Sequence, residues 1–395
     1  MIMNRFEFAI LASTMFISMI GFGFILPLLP VYANTLGASS IQLGLIFSVT
    51  SFSNLVFLPF MGHLSDRFGR KFFLSLGLLL LSVTTLGLVW AQDIPQLILL
   101  RALQGFAMSM HLPVAQAYLG DMTPVGEEGR WMGYFNAILF GGIGAGPFFG
   151  GVINDLFGFQ SVFLISALAM FLSFLLTLLY LKESRLRHSR ERRGFSLALL
   201  RRSPVLRAVI ILQMGSGMMT GVSMAFLPVL ATTKLGLSTT LVGLILASRT
   251  PISLLQTVSG RFADTHNRKL QMTAGSLSSA TALVLITLCT SFWTLFGAFS
   301  LLALGTVMLQ PASSAYMLEE GRKSGMGAMM AMFLMSMQLG ASLGPVGMGQ
   351  IADSFGLAAG FRTAAGINII ALLAFLWMMR RISGRKVRRN ASPCQ

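Results

Sequence analysis

Charge is scarce in this chain. Asp, Glu, Lys and Arg together make up 11% of its 395 residues, against roughly 25% in a soluble domain. Acids are scarcer than bases, thirteen against twenty-nine, and none of the thirteen falls in the middle of a long apolar run. Two cysteines, Cys289 and Cys394, supply no disulfide framework and no metal-ligand spacing. The four histidines are scattered. No glycine-rich loop ending in Lys-Ser or Lys-Thr is present to cradle phosphates, which excludes ATP as an energy source. No Ser/His/Asp arrangement follows a strand-turn-helix pattern. An enzyme is therefore not expected, and neither a cofactor nor a metal is expected. The first apolar run is too long for a signal-peptide core and lacks an Ala-x-Ala site, so it reads as a retained helix.

What the chain has in abundance is apolar sequence, 54% of all residues. A bilayer core about 30 Å thick needs about 20 helical residues to cross it. Twelve such runs can be counted, from 8–33 to 358–379, with the eighth at 239–259. The expected fold is an all-α membrane protein of twelve transmembrane helices. The net charge of +16 raises the question of nucleic acid, but its distribution points elsewhere. With the N-terminus placed in the cytoplasm, nearly all basic residues fall in cytoplasmic segments. That asymmetry is the positive-inside signal, and it puts both termini in the cytoplasm of a protein of the inner membrane. The basic face is matched to anionic lipid headgroups, and no nucleic acid partner is expected. The only long polar stretch between helices is basic and lies near the middle. It divides the chain into a bundle at 1–183, a linker at 184–204, a second bundle at 205–380 and a basic tail at 381–395.

The two bundles repeat one another. Gly62-His-Leu-Ser-Asp66-Arg67-Phe-Gly69-Arg70-Lys71 returns half a chain-length later as Gly260-Arg-Phe-Ala-Asp264-Thr-His-Asn-Arg268-Lys269. Tyr118-Leu-Gly-Asp121 returns as Tyr316-Met-Leu-Glu319, and Gly142-x3-Gly146-Pro147 as Gly340-x3-Gly344-Pro345. Asp155-Leu-Phe-Gly158 returns as Asp353-Ser-Phe-Gly356. A half-length repeat in an apolar chain implies two pseudo-symmetric six-helix bundles with a substrate path between them.

The loop between helices 2 and 3 carries the densest chemistry. Gly62 would let two helices approach closely. Asp66 would accept hydrogen bonds from the N-terminus of a neighbouring helix. Arg67, Arg70 and Lys71 would pair with cytoplasmic acids such as Asp121, Glu127 or Glu128, with Asp264 as the second-half echo of Asp66. A cluster of that kind can hold one packing of the helices and release it on switching. In helix 5, Gly142, Gly146 and Gly150 fall on one stripe that allows backbone-to-backbone packing, Gly151 adjoins it, and Pro147 bends the helix. On this reading Gly146→Leu abolishes transport and Gly146→Ala is milder.

Gly62-x3-Asp66-Arg67-x-Gly69-Arg70-Lys71 resembles the signature loop of the major facilitator superfamily. Arg101-x2-Gln104-Gly105 resembles that superfamily's helix-4 motif. Gly133-x8-Gly142-x3-Gly146-Pro147-x2-Gly150-Gly151 is similar to the helix-5 motif of its drug:proton antiporter branch. The resemblance implies the major facilitator fold, alternating access and proton-coupled export of amphipathic or drug-like small molecules, with protons as coupling partner. The chain departs from that branch in lacking a carboxylate inside the bundle. It is expected to act as a monomer.

What lies inside the apolar runs is basic or neutral. Arg101 and Arg249 are charges within the membrane, where function is the default reading. Arg249 also breaks the repeat, as a substrate contact would. His111 titrates near neutral pH and is a candidate proton relay, against the blander reading of a packed core histidine. Gln104, Gln116, Asn136, Gln213, Gln310 and Gln338 are further candidates for the substrate or proton pathway. The 26 methionines suit an adaptable lipophilic site. The two arginines and the missing carboxylate keep open transport of an organic anion, and the Met-rich interior keeps open transport of a lipid, neither necessarily coupled to protons.

Overall fold

The computed structural model describes residues 5–124, 127–184, 203–265, 267–324 and 326–390, and among these the regular structure is helical throughout. Hydrocarbon offers backbone N–H and C=O groups no partner, and a helix pairs them within itself. The first half contains α1 (Arg5–Thr35), α2 (Ser40–Phe68), α3 (Arg70–Gly87), α4 (Ile94–Met122), α5 (Glu128–Phe157) and α6 (Phe159–Tyr180). The second half contains α7 (Pro204–Leu235), α8 (Thr239–Ala247), α9 (Arg249–Ser253), α10 (Gln256–Thr265), α11 (Arg268–Leu288), α12 (Phe292–Ser324), α13 (Met326–Phe355) and α14 (Leu357–Asn390).

With the consecutive helices α8, α9 and α10 counted as one passage, the described residues make twelve passages. The apolar run 239–259 predicts one uninterrupted helix, and the structure corrects this. The run is interrupted at Ser248 and at Leu254–Leu255. Pro251 has no N–H to give the Ala247 carbonyl. The amides of Leu254 and Leu255 then bond three residues back, to Pro251 O (3.2 Å) and Ile252 O (3.0 Å). The tail expected from residue 381 begins as a continuation of α14, and the expected linker lies, apart from its two ends, outside the described residues.

Among the described residues nine stretches are long and apolar enough to cross a membrane, one of them covering both α5 and α6. Large apolar side chains such as Phe52, Leu99, Leu168 and Leu373 stand more than half exposed in mid-helix. Serine, threonine and glutamine side chains lie buried between the helices. Large apolar side chains facing outward in mid-helix, with polar ones held between helices, fit lipid as the solvent.

The repeat is visible in the backbone. Gly37 and Gly236 hold φ of 80° and 61° in the turns before α2 and α8, whose N-caps are Ser39 and Ser238. Gly158 and Gly356 hold φ of 81° and 86° after α5 and α13. The in-helix prolines Pro30, Pro113 and Pro147 recur as Pro228, Pro311 and Pro345. By proximity the described residues form two compact units. One takes in Met1–Ser189 and Met224–Thr250, the other Arg190–Ser223 and Pro251–Gln395. The first packs around Leu11, Met15, Leu78, Met110, Val114 and Phe135, the second around Leu206, Val209, Met272, Leu309, Phe333 and Phe375.

Candidate functional site

The loop between α2 and α3 draws four elements to one point. Arg70 is buried, and its guanidinium meets Asp66 Oδ1 at 2.6 Å through one terminal nitrogen, Asp121 Oδ2 at 2.6 Å through Nε, and Ser65 Oγ at 3.2 Å. Asp121 closes α4, and its Oδ2 also accepts from the Ser184 hydroxyl (3.0 Å). Glu183 Oε1 accepts from the amides of Arg70 (2.7 Å) and Lys71 (3.2 Å) and so caps the N-terminus of α3. Tyr118 donates to Lys182 O (2.6 Å), so α3 and α4 together hold the segment that leaves α6. Gly69 fits twice over. Its φ of 110° disfavours any side chain, and a Cβ there would come within 2.7 Å of Glu183 Oε2.

Several expectations change here. Asp66 pairs with Arg70 within its own loop, and Glu183, which sequence reasoning left at the domain border, is the acid at a helix N-terminus. Glu127 bonds the Trp131 indole N–H (2.8 Å) instead of a loop base. The side chain of Glu128 lies outside the described ones. The close approach expected at Gly62 is not found, since no described atom would lie within 4 Å of a methyl there. Arg67 is exposed and stacks over Phe68. Lys71 offers only its backbone to Glu183.

The second half repeats the core of this arrangement. Arg268 bonds Glu319 (3.1 Å) as Arg70 bonds Asp121, and it lies over the ring of Tyr316, the counterpart of Tyr118. Asn267 stands where Gly69 stands and caps α11 with its own side chain, accepting from the amides of Lys269 and Leu270. Among the described residues a long-range cap of the kind Glu183 makes is seen in the first half. The side chain of Asp264 lies outside the described ones.

Helix α5 is packed backbone to backbone on two sides. Toward α1, Cβ atoms at Gly142, Gly146 and Gly150 would meet Phe16 O (2.9 Å), Gly23 Cα (2.5 Å) and Phe24 O (2.6 Å). Toward α8 and α9, a Cβ at Gly151 would collide with Thr239 O, one at Gly243 with Pro147 O, and one at Gly144 with the Thr250 hydroxyl of α9. Pro147 leaves the Ile143 carbonyl without its helical donor, and that oxygen lies against Gly23. Beyond the stripe, Asp155 on the last turn of α5 reaches the first turn of α8. Between them, an open groove of about 340 Å³ runs along α5 and α8, lined by Gly141, Gly144, Ala145, Phe148, Phe149, Leu244, Ala247 and Thr250. Thr250 brings its one polar side chain.

The intramembrane candidates separate into held and unheld groups. Arg101 is buried. It donates to Ile46 O (3.4 Å) and Gln104 Oε1 (2.8 Å), and Gln104 donates to Thr85 Oγ1 (3.0 Å). The space beside it, about 10 Å³, is at the lower limit for one water. In this arrangement Arg101 ties α4 to α2. His111 is buried, its Nε2 3.1 Å from Ser18 Oγ, and the Ser18 hydroxyl donates to Met15 O, so the ring joins α4 to α1. Gln310 bonds Met337 Sδ. Gln116, Asn136 and Gln338 are half-buried. Gln213 is fully buried with neither amide atom partnered. Arg249 is half-buried at the break after α8, and its guanidinium makes no hydrogen bond or ion pair to a described residue.

The sequence profile of the Major Facilitator Superfamily matches residues 11–249 and again 209–393. An uncharacterized MFS-type transporter of Methanocaldococcus jannaschii is 26% identical over 376 residues, 93% of this chain and 97% of that protein. The multidrug resistance protein MdtG of Proteus mirabilis is 34% identical over 174 residues, which is 43% of each chain. Among solved structures, a bacterial homolog of the human lysosomal transporter Spinster, in an inward-facing and unoccupied conformation, superposes with a TM-score of 0.82 at 15% identity, covering 95% of this chain and 96% of that one.

Proposed function

Because the chain belongs to the Major Facilitator Superfamily, we propose that it is a secondary transporter that exports lipophilic, drug-like small molecules by alternating access in exchange for protons. It is an integral membrane carrier and not an enzyme. In the proposed topology both termini are cytoplasmic in the inner membrane. The bundles 1–183 and 205–380 are joined by the basic segment 184–204, and the protein works as a monomer.

The observation that carries the drug-like reading is the groove along α5 and α8. Its volume of about 340 Å³ lies within the range of roughly 300–1,000 Å³ that takes small ligands. Its walls are apolar apart from Thr250. Such a surface selects by shape and lipophilicity and asks for no particular charge. The relation to MdtG over part of the chain supports the same reading. Proton coupling rests on the drug:proton antiporter motif of α5, and its carrier is not a mid-helix carboxylate.

The test is dye accumulation in cells that lack their own efflux. Cells producing the protein should retain less of lipophilic cationic and neutral dyes. Ala145→Trp, which fills the groove from the α5 side, should restore accumulation of the bulkier dyes first. Equal efflux of every dye by this variant at equal membrane abundance would remove the groove from the substrate path.

A second reading is favoured by Arg249. A half-buried cation without a described partner suits an anionic substrate, because leaving a charge uncompensated in a membrane span is costly. On that reading Arg249→Ala abolishes transport of an anionic dye, and Arg249→Lys weakens it through loss of the planar fork. On the first reading Arg249→Ala leaves efflux of cationic dyes intact.

A further inference from the structure

The strongest polar contact made by α5 lies at its end, outside every motif the sequence reading assigned a role. Asp155 Oδ1 accepts from the Thr239 amide (3.1 Å) and the Thr239 hydroxyl (2.7 Å), and Oδ2 accepts from the Thr240 amide (2.8 Å). One residue back, Asn154 Nδ2 donates to Thr239 Oγ1 (3.0 Å), and one turn back Gly151 O is an alternative acceptor for that hydroxyl at 3.0 Å. Thr239 and Thr240 open α8, so the carboxylate binds the first two orphan amides of that helix. Ser238 already caps α8 through the Leu241 amide. Asp155 is therefore not needed to start the helix. What it adds is attachment of the helix to α5.

The rest of the contact between these helices is of another kind. Gly151 meets Thr239 O, Gly243 meets Pro147 O, and Gly144 meets Thr250, all close approaches of backbone or small groups. At each of these points one partner is a glycine, so the approach is made without a side chain on that side. Helices that meet at glycines can part without unthreading side chains, and one multidentate carboxylate is then the fastener. The groove lies on the same pair of helices, between residues 141–149 and 244–250. The fastener stands beyond its end.

We propose that Asp155 is a positioning residue for transport: its carboxylate latches the first turn of α8 to the last turn of α5, and release of that latch is the step that lets the two helices separate at the end of the groove. This rests on the transporter reading above and adds to it a residue that sets how readily the groove opens, without touching substrate. The latch is made of hydrogen bonds at the helix ends, so water can take them over on opening, which makes it reversible.

The test places spin labels on Leu156→Cys and Leu237→Cys, flanking the latch, in protein lacking Cys289 and Cys394 and reconstituted in lipid vesicles. With Asp155 present, the distance distribution should be dominated by one short population. Asp155→Ala should raise the longer population about fivefold or more relative to the short one. Thr239→Val should do the same alone and add little in the Asp155→Ala background, because both remove one contact. In dye transport without labels, Asp155→Asn should change the maximal rate by about fivefold or more while the half-saturating dye concentration stays within about twofold. Asp155→Glu should restore part of the rate. An unchanged distance distribution in Asp155→Ala overturns the proposal, also where the variant has lost thermal stability, since that pattern marks a purely structural contact. A shifted distribution in a protein that moves no dye would uphold the latch and refute the drug-export reading, so the two fail separately.

Discussion

Arg70 divides its guanidinium between two carboxylates of unequal exposure. The side chains of Arg70 and Asp121 are 10% and 12% exposed, whereas Asp66 is 36% exposed. Water screens the Asp66 pair, and its loss should cost under about 1 kcal/mol. Asp121→Asn strips a buried hydrogen-bonded pair of one charge, and should cost about 2–4 kcal/mol. Urea or thermal unfolding of the two variants in matched detergent would check the order. Asp66→Asn should still slow turnover more than it weakens substrate binding, since it touches the loop and not the groove. Much of this cluster was legible, because charged residues at fixed spacing are rare in an apolar chain and the repeat shows which of them recur. Glu183 and Asp155 were not given roles. Each acts on a backbone amide far away in sequence, and an acceptor aimed at a backbone group leaves no partner residue type to recognise.

At the scale of the helix, α5 is defined by what its glycines face. Sequence spacing showed that Gly142, Gly146 and Gly150 share a stripe, and it suggested that Gly146→Ala would be milder than Gly146→Leu. The geometry sharpens this. A Cβ at Gly146 would stand 2.5 Å from Gly23 Cα and 2.7 Å from Gly23 C, and backbone cannot rotate away as a side chain can. Gly146→Ala should therefore already push α1 aside, lowering stability by about 1–3 kcal/mol and cutting transport, with Gly146→Leu abolishing it. Gly62→Ala, with nothing within 4 Å, should leave both within error. Melting temperature and transport rate measured on the three variants decide the matter. Full tolerance of Gly146→Ala would mean that α1 and α5 are not in backbone contact. The second stripe, through Gly144 and Gly151 to α8 and α9, was not legible. Period alone shows that a helix has small-residue faces and does not say which helix covers each. The interruption of 239–259 was missed for a related reason. Pro251 was readable, but prolines at 30, 113 and 147 sit within unbroken helices, so proline by itself does not locate a break.

At the scale of the whole molecule, the twelve passages and the duplication were readable from hydropathy and from motif pairs, because lipid imposes helices and the repeat imposes their order. Substrate and coupling were less so. The apolar groove favours lipophilic compounds of any charge, Arg249 favours anions, and no mid-helix carboxylate announces a proton carrier. The most direct measurement is transport by the purified protein in liposomes, with a pH gradient imposed in each direction and matched cationic, neutral and anionic fluorescent probes. The account expects lipophilic cationic and neutral probes to move against their gradient toward the acidic side, and expects that movement to stop when an ionophore collapses the pH difference. Movement of anionic probes alone, or movement of any probe that ignores the imposed gradient, would contradict proton-coupled export of drug-like compounds.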